Sequence, residues 1–185
     1  MLTSRNAAHR RKAVFLVGYM GAGKTSVGQA LAHRLGWRFV DLDRQIEARE
    51  RRTVADIFRD SGEAAFRQLE TRALQALLKA LSDGDPTVVA LGGGAFAQPA
   101  NVAMLQSAGV RVIFLDAPAE ELWQRCTNTK AANERPLLRE KLEFTRLCEE
   151  RRPHYLKAGF HLQTAGKTPG EVVREIEFIL GEQSS

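Results

Sequence analysis

Ala13-Val14-Phe15-Leu16-Val17 runs directly into Gly18-Tyr19-Met20-Gly21-Ala22-Gly23-Lys24-Thr25, and Val27, Ala30, Leu31 and Leu35 then follow at helical spacing. This order of apolar strand, glycine-rich turn and helix decides the fold. The turn matches GxxxxGK[ST], the phosphate-binding loop pattern. Glycines let the backbone curl until successive N–H groups face phosphate oxygens, and the helix start adds its positive dipole end. The pattern assigns Lys24 to the β- and γ-phosphates and the Thr25 hydroxyl to Mg²⁺. A nucleoside triphosphate is the ligand class it fixes.

Working outward, the chain alternates strand and helix. Apolar runs predict strands over Ala13–Val17, Arg38–Val40, Thr87–Leu91, Arg111–Leu115 and Phe160–Leu162. Helical spacing predicts Lys24–Leu35, Asp43–Arg52, Val54–Arg59, Gly62–Leu81, Pro99–Ser107, Ala119–Thr127, Arg139–Lys157 and Gly170–Leu180. Such alternation means an α/β fold, a parallel sheet with helices on both faces. Thr53 and Asp56 resemble a capping box for the third helix. Residues 127–136 are polar and aperiodic, as a lid would be.

The 185 residues suit one domain, with 1–11 as a basic leader and 12–185 as the folded unit. Hydrophobic residues at 44% argue against long disorder. A net charge of +5 suits anionic ligands without requiring nucleic acid, and basic residues are not interleaved with aromatics. Cys126 and Cys148 form no ligand cluster, so zinc is not expected. No apolar run reaches the length of a membrane span, and a cytoplasmic monomer is the expectation.

Asp41 and Asp43 follow the second strand, where parallel sheets gather ligand sites. One could hold Mg²⁺ through water and the other orient an acceptor hydroxyl. Alternatively, Asp43 is only the cap of the next helix. Asp116 ends a four-apolar run and competes for Mg²⁺, but Pro118 and the acids behind it favour a helix cap there. Gly92-Gly93-Gly94 closes the third strand, and three glycines imply that something approaches the backbone closely. On spacing alone Arg67 reads as a solvated helix position, and His154 and His161 as surface residues.

Taken in order, Gly-x-x-Gly-x-Gly-Lys-Thr, Asp-x-Asp, Phe-Arg-x-x-Glu, Gly-Gly-Gly-Ala, Arg-Pro-Leu-Leu and Arg-x-Pro-x-Tyr resemble the motif order of the shikimate kinases, from about Val14 to Val173. The resemblance implies a three-layer nucleoside-monophosphate-kinase fold, with five parallel strands in the order 2-3-1-4-5 and a mobile lid at about 127–138. It implies ATP on Gly21, Ala22, Gly23, Lys24, Thr25 and Ser26, with Mg²⁺ on Thr25 and, through water, on Asp41. Shikimate would meet Asp43 and the glycines Gly92, Gly93 and Gly94. Arg67 and Arg151 would clamp its carboxylate, Glu70 would hold Arg67, and Phe58 and Phe66 would line its apolar side. Arg135 would close with the lid onto the transferring phosphate. Arg125 and Lys167 would lie at the adenine. Lys24, Asp43 and Arg135 would carry the chemistry, and the activity implied is phosphorylation of the shikimate 3-hydroxyl. A related kinase acting on gluconate, which also offers a carboxylate and hydroxyls, is the nearest alternative.

Overall fold

Five parallel strands, β1 (Ala13–Val17), β2 (Arg38–Asp41), β3 (Thr87–Ala90), β4 (Arg111–Asp116) and β5 (Phe160–Gln163), form one sheet in the order β2-β3-β1-β4-β5. The strand order is the expected one. The structure is a computed structural model and describes residues 13–81, 85–128 and 140–181. The basic leader, Arg135 and most of the expected lid lie outside those residues.

Helices α1 (Lys24–Leu35), α2 (Leu42–Glu50), α3 (Val54–Ala80), α4 (Pro99–Ser107), α5 (Ala119–Thr127), α6 (Lys141–Tyr155) and α7 (Pro169–Gly181) flank the sheet, with a 3₁₀ turn at Ala95–Ala97. A strand covered on both faces needs apolar residues at every position, and this is why β1 and β3 read as unbroken apolar runs. All five residues of β1 and all four of β3 are buried.

This strand order places the site. The chain leaves β1 toward β2 but leaves β3 in the opposite direction, toward β4. Loops from adjacent strands that depart in opposite directions open a crevice at the carboxyl edge of a parallel sheet. The phosphate loop and the glycine run Gly92–Gly94 are the two loops that flank it. Leu91 N donates to Leu16 O at 3.1 Å, carrying the β1–β3 pairing to the crevice edge. On the far side of β3, Asp41 pairs in register with Ala90, so the end of β2 reaches the same level.

The predicted break between two helices at residues 59–62 is a kink inside α3, where Gly62 adopts φ 80°, ψ 169°. Thr53 caps α3 as expected: Asp56 N donates to Thr53 Oγ1 at 3.1 Å, and the hydroxyl donates back to Asp56 Oδ2 at 2.7 Å. Across the kink, Phe58 and Phe66 pack with ring centroids 4.7 Å apart.

Two sequence readings are corrected. Asp43 does not cap α2. Strand β2 runs one residue further than its apolar run, so Asp41 takes the cap position and accepts from Arg44 N at 3.4 Å. Asp43 falls in the first helical turn, which frees its carboxylate to face the crevice. Asp116 does not cap α5 either. Pro118 occupies that position without a side-chain cap bond, and Asp116 is spent on α6 and β5. It accepts from Arg152 Nη2 at 2.7 Å and from Gln163 Nε2 at 3.1 Å, and lies 2.9 Å from His161 Nε2. His161 is on the surface, as expected, but stacks on Phe114 and contributes to this cluster.

Candidate active site

The phosphate loop is built without a side-chain cap. Gly23 holds the N-cap position of α1 with no side-chain hydrogen bond, and no acid lies in the first turn, which leaves the helix start to an anion. Close packing sets the shape of the loop. A Cβ on Gly21, whose φ is 83°, would stand 2.5 Å from the Leu122 carbonyl oxygen on α5. Lys24 Nζ folds over the loop and donates to Gly18 O at 2.8 Å and to Tyr19 O at 3.0 Å. Thr25 Oγ1 donates to Asp41 Oδ2 at 2.9 Å. Together with phosphate and water oxygens, a hydroxyl and a carboxylate at the loop mouth make the all-oxygen donor set that Mg²⁺ takes. Among the described residues no group of three His, Cys, Asp or Glu is arranged as a protein-only metal cage.

Across the crevice the glycine run is crowded by side chains of the site itself. A Cβ on Gly92 would lie 2.5 Å from Asp43 Oδ1 and 2.8 Å from Glu70 Oε1, and one on Gly94 would collide with the Arg67 guanidinium. Gly93 is the exception. It is partly exposed, and a Cβ there would meet nothing nearer than 3.9 Å, the neighbours being Gly18 O, Met20 N and Tyr155 Oη. The close approach expected of three glycines is therefore made by the protein's own groups at two of them, and Gly93 faces open space beside the phosphate loop.

Arg67 is held from several sides. Nη1 donates to Glu70 Oε2 at 2.9 Å, while Nε and Nη2 donate to Glu63 Oε1 at 3.2 and 3.0 Å. Its guanidinium lies 5.3 Å from the Phe66 ring centroid and 5.8 Å from that of Phe58. Glu63 is 61% exposed, so an incoming carboxylate can displace it from the Nε/Nη2 fork. Glu70 is 0% exposed and stays with Arg67 in any event. Arg151 projects from α6 over the Tyr19 ring, 5.7 Å from its centroid. The phosphate loop and the end of α6 thus touch through that pair. Tyr155 Oη donates to Gly93 O, joining α6 to the glycine run.

The electrostatics follow from burial. Burial pushes the Asp43 carboxyl up to about 6; Asp41 adds to this and Lys24 opposes it. Burial pushes Glu70 up to about 7, against the pull of Arg67 and with a push from Asp43. Burial disfavours the Arg67 charge, but the Glu70 and Glu63 carboxylates outweigh it and raise its pKa. Asp43 Oδ1 and Glu70 Oε1 are both buried without a hydrogen-bond partner among the described residues. A buried acceptor left unpaired costs free energy unless something donates to it, and a hydroxyl-bearing ligand is one such donor.

The structure therefore brings Asp43, Phe58, Phe66, Arg67, Glu70 and the glycine run together beside the phosphate loop. Arg125 and Lys167 lie apart from them. Arg125 donates to Glu121 and to the Thr164 carbonyl, both at 2.6 Å, and Gly166 N donates to Glu121 at 3.0 Å, which ties the end of α5 to the loop before α7. Lys167 turns to Glu175 on α7, 2.7 Å away, in a groove of about 600 Å³ that also holds Leu162, Arg174 and Phe178. Tyr155 closes the Arg-x-Pro-x-Tyr motif without having been given a role, and Glu63 and Gln98 are site neighbours outside the motifs. Only Glu63, one helical turn before Arg67, carries a local signal.

A family model described as shikimate kinase matches residues 20–180. The chain belongs to the shikimate kinase family. A shikimate kinase from Persephonella marina is 42% identical over 164 residues, covering 88% of this chain and 95% of the relative. The solved shikimate kinase from Acinetobacter baumannii in complex with shikimate superposes with a TM-score of 0.83 at 34% identity, covering 94% of this chain and 95% of that one. A gluconokinase from Sinorhizobium meliloti covers 96% of this chain and all of its own length. It reaches a TM-score of only 0.57 at 20% identity, a likeness of fold alone. Among the described residues no helix is long and apolar enough to cross a membrane.

Proposed function

We propose that this member of the family transfers the γ-phosphoryl group of ATP to the 3-hydroxyl of shikimate, with the acid lying over Gly93 between the Arg67 and Arg151 guanidinium groups. The observation that carries the reading is the convergence of one unpaired Asp43 oxygen and one paired arginine, Arg67, on the glycine run that faces the phosphate loop. A planar carboxylate is the ligand an arginine fork takes best. The partly exposed Gly93 leaves room for a ring to lie flat.

Residues of the chain then act as follows. The loop N–H groups and Lys24 hold the triphosphate, with Lys24 giving up its carbonyl partners for phosphate oxygens. Arg67 and Arg151 fix the acid so that its hydroxyl points at the terminal phosphate. Asp43 orients that hydroxyl and accepts its proton late. The new bond joins the hydroxyl oxygen to phosphorus, the bond to the β–γ bridging oxygen breaks, and its electron pair leaves with ADP. The transition state is loose, so positioning and charge neutralisation do most of the work. Thr25 and Asp41 would hold Mg²⁺, which supplies neutralising charge at the phosphates. Arg135 would add a further cation. A cytoplasmic monomer completes the proposal.

A coupled ADP-release assay with shikimate and gluconate in parallel tests it. Shikimate should turn over with phosphate on one ring hydroxyl, and gluconate should not. Equal turnover of gluconate would overturn the substrate assignment.

A further inference from the structure

Gln98 sits at the N-cap of α4 and does not cap it. Position N-cap favours a short oxygen-bearing side chain that bonds back to the helix, yet Gln98 makes no such bond. Its longer side chain turns the other way, and Nε2 donates to Glu70 Oε2 at 2.7 Å. The same oxygen accepts Arg67 Nη1 at 2.9 Å. The amide orientation is set by the carboxylate, which accepts only from the N–H side, and Thr71 Oγ1 lies 3.5 Å from Gln98 Oε1 on the other side.

The geometry points to Gln98 as a positioning residue for Arg67. It acts through Glu70, and the inference rests on the reading of Arg67 as a clamp for the acid's carboxylate. Glu70 is wholly buried, and its other oxygen has no partner among the described residues. Among the described residues its Oε2 is located by two donors, the guanidinium it serves and the Gln98 amide. The amide belongs to a different element, the start of α4, 28 residues away in sequence from Glu70. Without it, the Glu70 carboxylate would follow Arg67 instead of anchoring it, and Arg67 would lose its fixed aim over Gly94. The charge also matters. A neutral donor on Oε2 favours the ionised form of a carboxyl that burial and Asp43 drive toward protonation. Gln98 thus supports both where Arg67 points and how firmly it is paired.

The test uses the full-length enzyme and four variants. Gln98→Met keeps the side-chain length without the donor. Gln98→Ser also removes the contact but supplies a favoured cap, so α4 keeps its start and the fold is protected. Both should raise the KM for shikimate roughly tenfold, the worth of one hydrogen bond to a charged group at the lower end of its range. The KM for ATP and kcat should stay within about twofold, because the loop and the reacting oxygens are untouched. In an Arg67→Ala background, the Gln98→Met change should have no further effect, since its route to the acid is gone. A shikimate KM unchanged in Gln98→Met and Gln98→Ser, beside a raised one in Arg67→Ala, would overturn this inference alone. The same added KM increase with and without Arg67 would also overturn it. A wild-type KM in Arg67→Ala would overturn the clamp reading itself.

Discussion

Asp43 and Glu70 point an oxygen each at a single glycine, and their environment makes both reluctant carboxylates. A carboxyl whose pKa is higher in the folded chain than in the unfolded one takes up a proton on folding. Its charged form then costs stability, not at all below its ordinary pKa and in full above the raised one. For Asp43 that window runs from its ordinary 3.8 to about 6. Asp43→Asn should therefore match the wild type in stability near pH 4 and exceed it above pH 6, by about 1–3 kcal/mol, in denaturant melts of the ligand-free protein. The same variant should lose turnover by about a hundredfold or more while binding ATP nearly as before, since an amide cannot accept the hydroxyl proton. Stability gained together with activity lost marks a group kept for chemistry. A variant that is fully active, or less stable at every pH, would contradict the assignment. None of this could be read locally. Asp-x-Asp is legible as a pair, but which member caps the helix depends on where β2 stops, one residue beyond its apolar run.

At the scale of elements, the glycine run after β3 gives the sharpest contrast. Gly93→Ala has room for its methyl group in the ligand-free protein, nothing lying nearer than 3.9 Å. Its melting temperature should move by less than about 2 °C, whereas its affinity for shikimate should fall by roughly tenfold or more, because the added carbon occupies the proposed ligand space. Gly92→Ala should behave differently. Its methyl group would press on two buried carboxylates, so it should lose stability before any ligand is added. Calorimetry on both variants separates the cases, and equal destabilisation of the two would refute the reading of Gly93 as the open position. Sequence located the run at the end of its strand and called for a close neighbour. It could not say that Arg67, Asp43 and Glu70 would be the neighbours, because those contacts cross from α2 and α3. Asp116 is missed for the same reason. Its partners Arg152, His161 and Gln163 stand 36 to 47 residues away. The local pattern of Pro118 with acids behind it describes a helix start well enough, but not what the aspartate before it does.

For the whole molecule, fold and family were legible because the decisive signals are local and ordered. A glycine loop between an apolar strand and a helix, repeated alternation and six spaced motifs all lie along the chain. The sheet order follows the family, and the crevice follows from the sheet order. The charge balance of the chain, at +5, belongs with anionic ligands at this crevice. Because the acid and the nucleotide share one cleft, and Tyr19 of the phosphate loop carries Arg151 on its ring, the two ligands should report on each other. A non-hydrolysable ATP analogue at saturation should tighten shikimate binding by at least about twofold in calorimetry, and Tyr19→Leu should abolish most of that gain while leaving the fold intact. Independent binding in the wild type would dismiss the link.

The central claim is geometric, and one experiment reaches it directly: a crystal structure of the chain with a non-hydrolysable ATP analogue, Mg²⁺ and shikimate. The acid's carboxylate should lie between Arg67 and Arg151, its ring over Gly93, and its 3-hydroxyl within hydrogen-bond reach of Asp43 and in line with the terminal phosphate. Shikimate bound elsewhere, or with its carboxylate turned away from both guanidinium groups, would contradict the account.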